Sequence, residues 1–287
     1  VWGGEDNDPP QYGKVFLAIK PLNSDYLSTT EKTVIKNKLN GLNMLTVRPE
    51  IVDAEIVKIL LSTTFKYNER ATTLSKGELE TVVTNAINSY DTTNLTNFDA
   101  VFRHSNLVKS IDESNSAILS NVTNVRLKKK MEVKPGQLIG YINTFGNGFY
   151  NPTSGYNASQ GGITVSTGFY SVGDATNIHY FDDDGKGNLR EYYLSGATRI
   201  YVNSNAGTVN YSTGLITINA INITSTVNVD STIDFTMIPN GNDVVATRGI
   251  LVDISSSDIT VKGEVDTIAS GESSAGVGFN STSSSTY

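Results

Sequence analysis

The sequence predicts an α+β chain in two parts: a ferredoxin-like split β-α-β domain, then an all-β domain built as a sandwich or open barrel. Three observations point there. Up to Val133 the apolar residues switch between period 2 and period 3.6 in the order β-α-β-β-α-(α)-β, which suits a small antiparallel sheet with helices on one face. From Leu138 onward no helical period recurs, and short alternating runs are separated by Gly, Asn and Asp clusters. Charge divides at the same place: residues 1–134 hold 17 Lys and Arg against 16 Asp and Glu, whereas residues 135–287 hold 5 against 13. With Pro135-Gly136 as the boundary, the expected divisions are an extended opening segment at 1–13, the ferredoxin-like domain at 14–134, the all-β domain at 135–269 and a Ser/Gly-rich tail or arm at 270–287.

The elements follow in order. Trp2 to Tyr12 is rich in Gly, acid and Pro and reads as extended chain. Lys14 to Lys20, with Val15, Leu17 and Ile19 alternating, is a strand. Ser28-x-x-Glu31 is a capping box, followed by Val34, Ile35, Leu39 and Leu42 on one helical face. Leu45 to Arg48 reads as a short edge strand, because Pro49 cannot donate to a ladder. Glu55 to Tyr67 keeps strict alternation over a length of roughly 40 Å at about 3.3 Å per residue, far beyond the usual strand. Ser75-x-x-Glu78 caps a second helix carrying Leu79, Val82, Val83, Ala86, Ile87 and Tyr90. A third helical piece spans Asn97 to Asp112, with a break at Arg103-His104-Ser105. Ala117 to Val133 is the last strand of this part, apolar on one side and carrying Arg126, Lys128, Lys130 and Glu132 on the other. Solvation and edge protection explain that basic row more economically than an acidic partner does. The β part follows as Leu138–Asn143, Ile163–Thr167, Asn177–Phe181, Leu189–Leu194, Arg199–Val202, Leu215–Ile218, Ile233–Met237 and Gly249–Ile254. The tail from Ser270 is too polar to build a core and reads as mobile, or as an arm that orders on a partner.

Composition narrows function. Hydrophobic residues make up 38% and charged residues only 18% of 287, and there is no Cys, so disulfides, zinc-thiolate sites and thiol nucleophiles are excluded. The net charge of −7 supplies no basic excess for nucleic acid, and no apolar run is long enough for a membrane helix. The opening VWGGEDNDPP has neither a signal peptide nor a starting Met, which suits a fragment or processed product.

No residue pattern assembles a catalytic, cofactor or metal site, so the expectation is a non-enzyme without cofactors. Asp182-Asp183-Asp184-Gly185-Lys186-Gly187-Asn188 places acids beside glycines but lacks EF-hand spacing, and its flanks read as the strands of a hairpin. His104 and His179 lie too far apart to pair. The loop Pro21 to Tyr26 has no Gly or Arg with which to cradle an anion, unlike acylphosphatase-type enzymes of the same fold. Asn222-Ile223-Thr224 is a sequon of the kind that a Ser/Thr/Asn-rich chain produces by chance. Tyr150, Tyr156, Tyr170, Tyr180, Tyr192 and Tyr193 could stack on sugar rings, which would make the β part a receptor- or glycan-binding adhesin module. Packing against cross-strand neighbours is the plainer reading.

The segments GGEDNDPPQYGKVFLAIKP, VRPEIVDAEIVKI, SKGELETVVTNAI and VFRHSNLVKSI, in that order over roughly residues 1–134, resemble the C-terminal portion of baseplate wedge proteins of T-even-like contractile-tailed phages, of the baseplate-J-like group. The resemblance implies a late structural protein of the virion, with no catalytic residue to carry over. It implies assembly in the host cytoplasm and a homodimer that joins other wedge proteins into a ring around the tail tube, supporting tail assembly and the rearrangement on sheath contraction. The overlong strand, the uncovered sheet face and the polar tail are the features that suit self-association by strand addition or face packing.

Overall fold

The computed structural model describes residues 1–7, 10–21, 26–42, 47–95, 97–151, 162–247 and 249–269. Strands take up 48% of these and helices 20%. The chain opens with β1 (Trp2–Gly3), β2 (Lys14–Ala18), α1 (Thr29–Asn40) and β3 (Arg48–Val52). It continues with β4 (Glu55–Tyr67), α2 (Lys76–Asn94), β5 (Val101–Phe102), α3 (His104–Asp112) and β6 (Ile118–Glu132). Then come β7 (Leu138–Thr144), β8 (Val165–Ser166), β9 (Phe169–Ser171), β10 (Asp174–Asp183), β11 (Asn188–Ser195), β12 (Thr198–Asn210) and β13 (Leu215–Thr226). Last are β14 (Thr232–Met237), β15 (Val244–Val245), β16 (Ile250–Asp253) and β17 (Ile259–Val265).

The ferredoxin-like domain is not there. Its four strands would share one sheet, but β2 and β3 pair in parallel with each other, joined through α1, and β1 completes a separate three-stranded sheet. Pro49 lies inside β3, opposite Val15, on a sheet edge where its missing N–H costs no ladder bond. Strands β4 and β6 belong to a different sheet, in the order β16-β4-β6-β14-β8 with β17 also on β4. Four of those six strands come from beyond residue 134, so the pairing crosses the expected boundary. The cause is backbone demand. β6 pairs along one edge of β4 from Val57 to Tyr67, while β16 takes Glu55 to Lys58 and β17 takes Leu61 to Tyr67 on the other. No edge of β4 is left for β2 or β3.

The remaining strands wind into a barrel. The pairings run β12-β11-β10-β9-β13 and return from β13 to β12, with β7 added on β13. The seam at β12 and β13 depends on Gly207, which faces Ile218, because a Cβ there would lie 2.0 Å from the Thr217 carbonyl oxygen. The apolar core is continuous between sheet and barrel. Ile59, Leu61 and Phe65 of β4 meet Leu79, Val83 and Ile87 of α2, and the cluster continues through Phe235 of β14 to Phe181 and Phe169 of the barrel. Phe235 stacks on Phe181 at 5.9 Å and Phe181 on Phe169 at 4.6 Å.

Both capping boxes form: Ser28 with Glu31 opens α1, and Ser75 with Glu78 opens α2. Each such cap contributes about 1 kcal/mol. The two helices then diverge. Leu79, Val83, Ile87 and Tyr90 of α2 are buried, whereas α1 buries no residue, and its apolar Val34 lies open to solvent as does Leu42 beyond its end. The third helix begins only at His104, because Val101 and Phe102 form a strand against Val245 and Val244. No described helix is long and apolar enough to cross a membrane.

Replacing Gly207 by Ala should lower the melting temperature by several degrees, since overpacking against a backbone oxygen costs about 1–3 kcal/mol. An unchanged calorimetric transition would mean that the seam is open in solution. Asp91 of α2 accepts the Ile254 N–H at 3.0 Å, and burial pushes its carboxyl up from 3.8 to about 6. The folded chain therefore holds an extra proton between those values, and stability falls as pH rises through that window. Asp91→Asn keeps the acceptor and removes the titration. It should melt higher than the parent near pH 7 and alike near pH 3.5, which calorimetry across that range checks.

Candidate functional site

The surface singled out by the sequence is the β4 sheet, and β4 itself is fully engaged inside the chain. Strand addition to it is therefore closed. Two neighbouring edges carry side-chain caps: Glu80 of α2 accepts the N–H of Gly263 in β17 at 2.9 Å, and His104 Nε2 lies 2.9 Å from the carbonyl oxygen of Thr123 in β6. Such caps occupy groups that would otherwise template a foreign strand.

One face of the sheet carries α2 and α3. The other presents Ser62 and Lys66 of β4 beside Asn124, Val122 and Arg126 of β6 and Thr260 and Lys262 of β17, with Val122 67% exposed. The basic row of β6 does meet acids, and they belong to the chain's own C-terminal half. Lys128 pairs with Asp258, Lys130 with Asp230 at 2.6 Å, and Arg103 of the α3 cap with Asp243 at 2.7 Å. Lys129, turned to the buried side, pairs with Glu55 of β4 and donates to the Thr144 carbonyl of β7, tying the sheet to the barrel. The opposite charges of the two halves are thus spent partly in joining them.

On the barrel, three of the tyrosines proposed for sugar stacking, Tyr180, Tyr192 and Tyr193, are engaged with other rings. Period 2 turns Phe181 and Leu189 inward, and Tyr180, Asp182, Arg190 and Tyr192 to the outer face. There Tyr180 stacks on Tyr192 at 5.6 Å, the Arg199 guanidinium covers the Tyr192 ring at 4.8 Å, and Arg190 covers Tyr201 at 4.2 Å. All of this closes over Asp182, which is almost fully buried. Its carboxylate accepts from Arg190 Nε at 3.0 Å, Arg199 Nη1 at 2.7 Å and Tyr201 Oη at 2.8 Å. Burial pushes the Asp182 carboxyl up, against the pull of Tyr201 and the two guanidiniums. Tyr193 contacts His179, and Tyr150 and Tyr170 form no part of the cluster. Tyr156 lies outside the described residues, as do residues 22–25 of the loop weighed for anion binding and the whole tail from 270.

The run Asp182–Asn188 is a hairpin turn between β10 and β11. Asp184 accepts the N–H groups of Lys186 and Asn188, and Gly185 and Gly187 take positive φ of 73° and 104°. Asp183 points inward and accepts Thr164 N–H at 2.7 Å, Gly185 N–H at 3.1 Å and Tyr211 O–H at 2.6 Å. A Cβ on Gly162 would strike that carboxylate, so the approach of this segment requires glycine. Burial, with Asp183 alongside, pushes the Tyr211 phenol up.

A triad on a buried histidine was missed from sequence: His179 Nδ1 lies 2.7 Å from Glu191, and Nε2 lies 3.3 Å from the half-exposed Asp174. The signal was available, since His179, Phe181 and Asp183 share one face of a hairpin strand opposite Glu191. Hydrogen bonds from Asn177 hold the Asp174 carboxyl well below the usual range, while burial pushes Glu191 up against the pull of His179. These acids are turned on the imidazole. Among the described residues no three His, Asp or Glu side chains are grouped to hold a metal ion.

Residues 1–52 match the family model for the baseplate structural protein gp6, C-terminal domain I, and residues 55–130 match that for C-terminal domain III. Baseplate wedge protein gp6 of Enterobacteria phage T4 is 24% identical over 129 residues, which cover 44% of this chain and 19% of the relative. Up to residue 130 the chain is therefore similar to the C-terminal portion of a baseplate wedge protein, as the sequence resemblance implied. The matched stretches part between residues 52 and 55, where β3 of the small sheet gives way to β4 of the large one.

Asp182→Ala should destabilise the barrel by about 3–5 kcal/mol, because it leaves two partly buried guanidiniums beside an empty carboxylate position. Denaturant melts of the variant measure it. A loss below about 1 kcal/mol would mean that solvent, rather than Asp182, satisfies the arginines.

Proposed function

We propose that the chain is a structural component of a phage tail baseplate wedge, located in the virion, that self-associates and contacts other wedge proteins to link neighbouring wedges around the tail tube. The observation that carries this reading is the consecutive match to domains I and III of a baseplate protein, seated on two structurally distinct sheets. Physical features support it. The small sheet and α1 bury little apolar surface of their own, and the β4 sheet around Ser62, Lys66 and Val122 carries no covering layer among the described residues, so both are placed to be completed by neighbours. Separate sheets joined through a short segment at residues 53–54 also suit a part that supports tail assembly and shifts when the sheath contracts. Assembly of wedges would take place in the host cytoplasm, before the tail is complete.

The adhesin alternative is weakened where the barrel's tyrosines are engaged, since Tyr180, Tyr192 and Tyr201 stack on one another and on arginines. The test is sedimentation of the chain mixed with purified wedge components of a contractile-tailed phage. Entry into a complex heavier than the chain and its self-associated form is the expected result. Unchanged sedimentation at micromolar concentration against the full set of components would overturn the proposal.

A further inference from the structure

The barrel sheet ends at β7, whose ladder bonds in the described chain run to β13 alone. Phe145 N–H bonds Gly214 O at 2.9 Å, in the same register as Tyr141 opposite Ile218. The odd residues at this end therefore face β13, and Gly140 and Ile142 turn their N–H and C=O groups outward from the sheet. The side chains above that edge are apolar and open: Leu138 is 69% and Ile142 72% exposed.

Several other edges carry a protective device. β17 has Lys262, Glu264 and the Glu80 cap, β6 has His104, and β3 has Pro49 between charged residues. The edges β1, β8 and β16 are two to four residues long. The segment Leu-Ile-Gly-Tyr-Ile-Asn-Thr has no charge and no Pro, and of its outward-facing groups one, the Thr144 carbonyl, is taken among the described residues, by Lys129. An open, uncharged, apolar edge is the feature that isolated proteins avoid.

We infer that β7 is a self-pairing strand, joining antiparallel to β7 of a second copy across a two-fold axis at Tyr141. This rests on the self-association proposed above and names its surface. In that register the outward groups of Gly140 meet those of Ile142 in the other copy, so the two residues exchange both backbone hydrogen bonds. Each Ile142 side chain then lies over a residue that has none, and Leu138 falls opposite Thr144. The strand fits a copy of itself: large opposite absent, apolar beside apolar, and no like charges brought together. The pairing would extend the barrel sheet continuously from one copy into the next.

Sedimentation equilibrium of the full chain at micromolar to tens of micromolar concentration tests it against Ile142→Lys, which places a charge near the axis at an already exposed position. The expected result is a dimeric parent and a monomeric variant with the parent's melting temperature. Register is tested separately, since the chain has no Cys of its own. Leu138→Cys and Thr144→Cys chains, mixed and oxidised, should give a disulfide-linked pair that neither variant gives alone. A variant as dimeric as the parent, or no cross-link in the mixture, would overturn the β7 contact and leave self-association standing. A strictly monomeric parent would overturn self-association and the contact together.

Discussion

Thirteen residues of backbone in β4 need partners on both edges, and the rest of the architecture answers that need. A buried N–H or C=O left unpaired costs about 1–3 kcal/mol, so a long central strand cannot be left half-paired. β6 satisfies one edge through a local connection over α2 and α3. The other edge is satisfied from the far end of the chain, first by β16 and then by β17. Once those two strands are committed to β4, the barrel lies on the path between β6 and β14, and β2 and β3 have only each other and β1. The separate small sheet follows from the same demand.

Legibility in the sequence tracks how local each determinant is. The capping boxes, the apolar stripe of α2, the alternation of β4 and β6 and the Asp182–Asn188 turn were all readable, since each is fixed by residues within a turn or two. The ferredoxin-like arrangement was wrong because the element order is compatible with it and the deciding fact is which strand pairs with β4. Ile259–Val265 was passed over as a strand. Its Lys262 and Glu264 break the apolar run that advertises a parallel partner, and Gly263 is needed there because the Phe65 ring occupies the space of a side chain. The tyrosines of the barrel were visible as a group, but whether they face ligand or one another depends on register across three strands. So does the meeting of Asp182 with Arg190 and Arg199.

Charge illustrates the difference between composition and topology. The excess of acid beyond residue 134 reads as a domain of different character. In the folded chain part of that excess sits against the basic residues of β6 and the α3 cap, through Asp258, Asp230 and Asp243. The exposed pairs add little stability individually, about 0–1 kcal/mol each. Their effect lies more in specifying which surfaces meet, because a mispaired surface would leave these charges without their opposites.

Because β17 pairs with a strand synthesised about two hundred residues earlier, the central sheet cannot close until the chain has been made through Val265. Parallel contacts at such separation are slow to form, and until they do β4 holds one edge bare. A growing or truncated chain would therefore be a substrate for chaperones and proteases, while only one translated through Val265 can bury that edge.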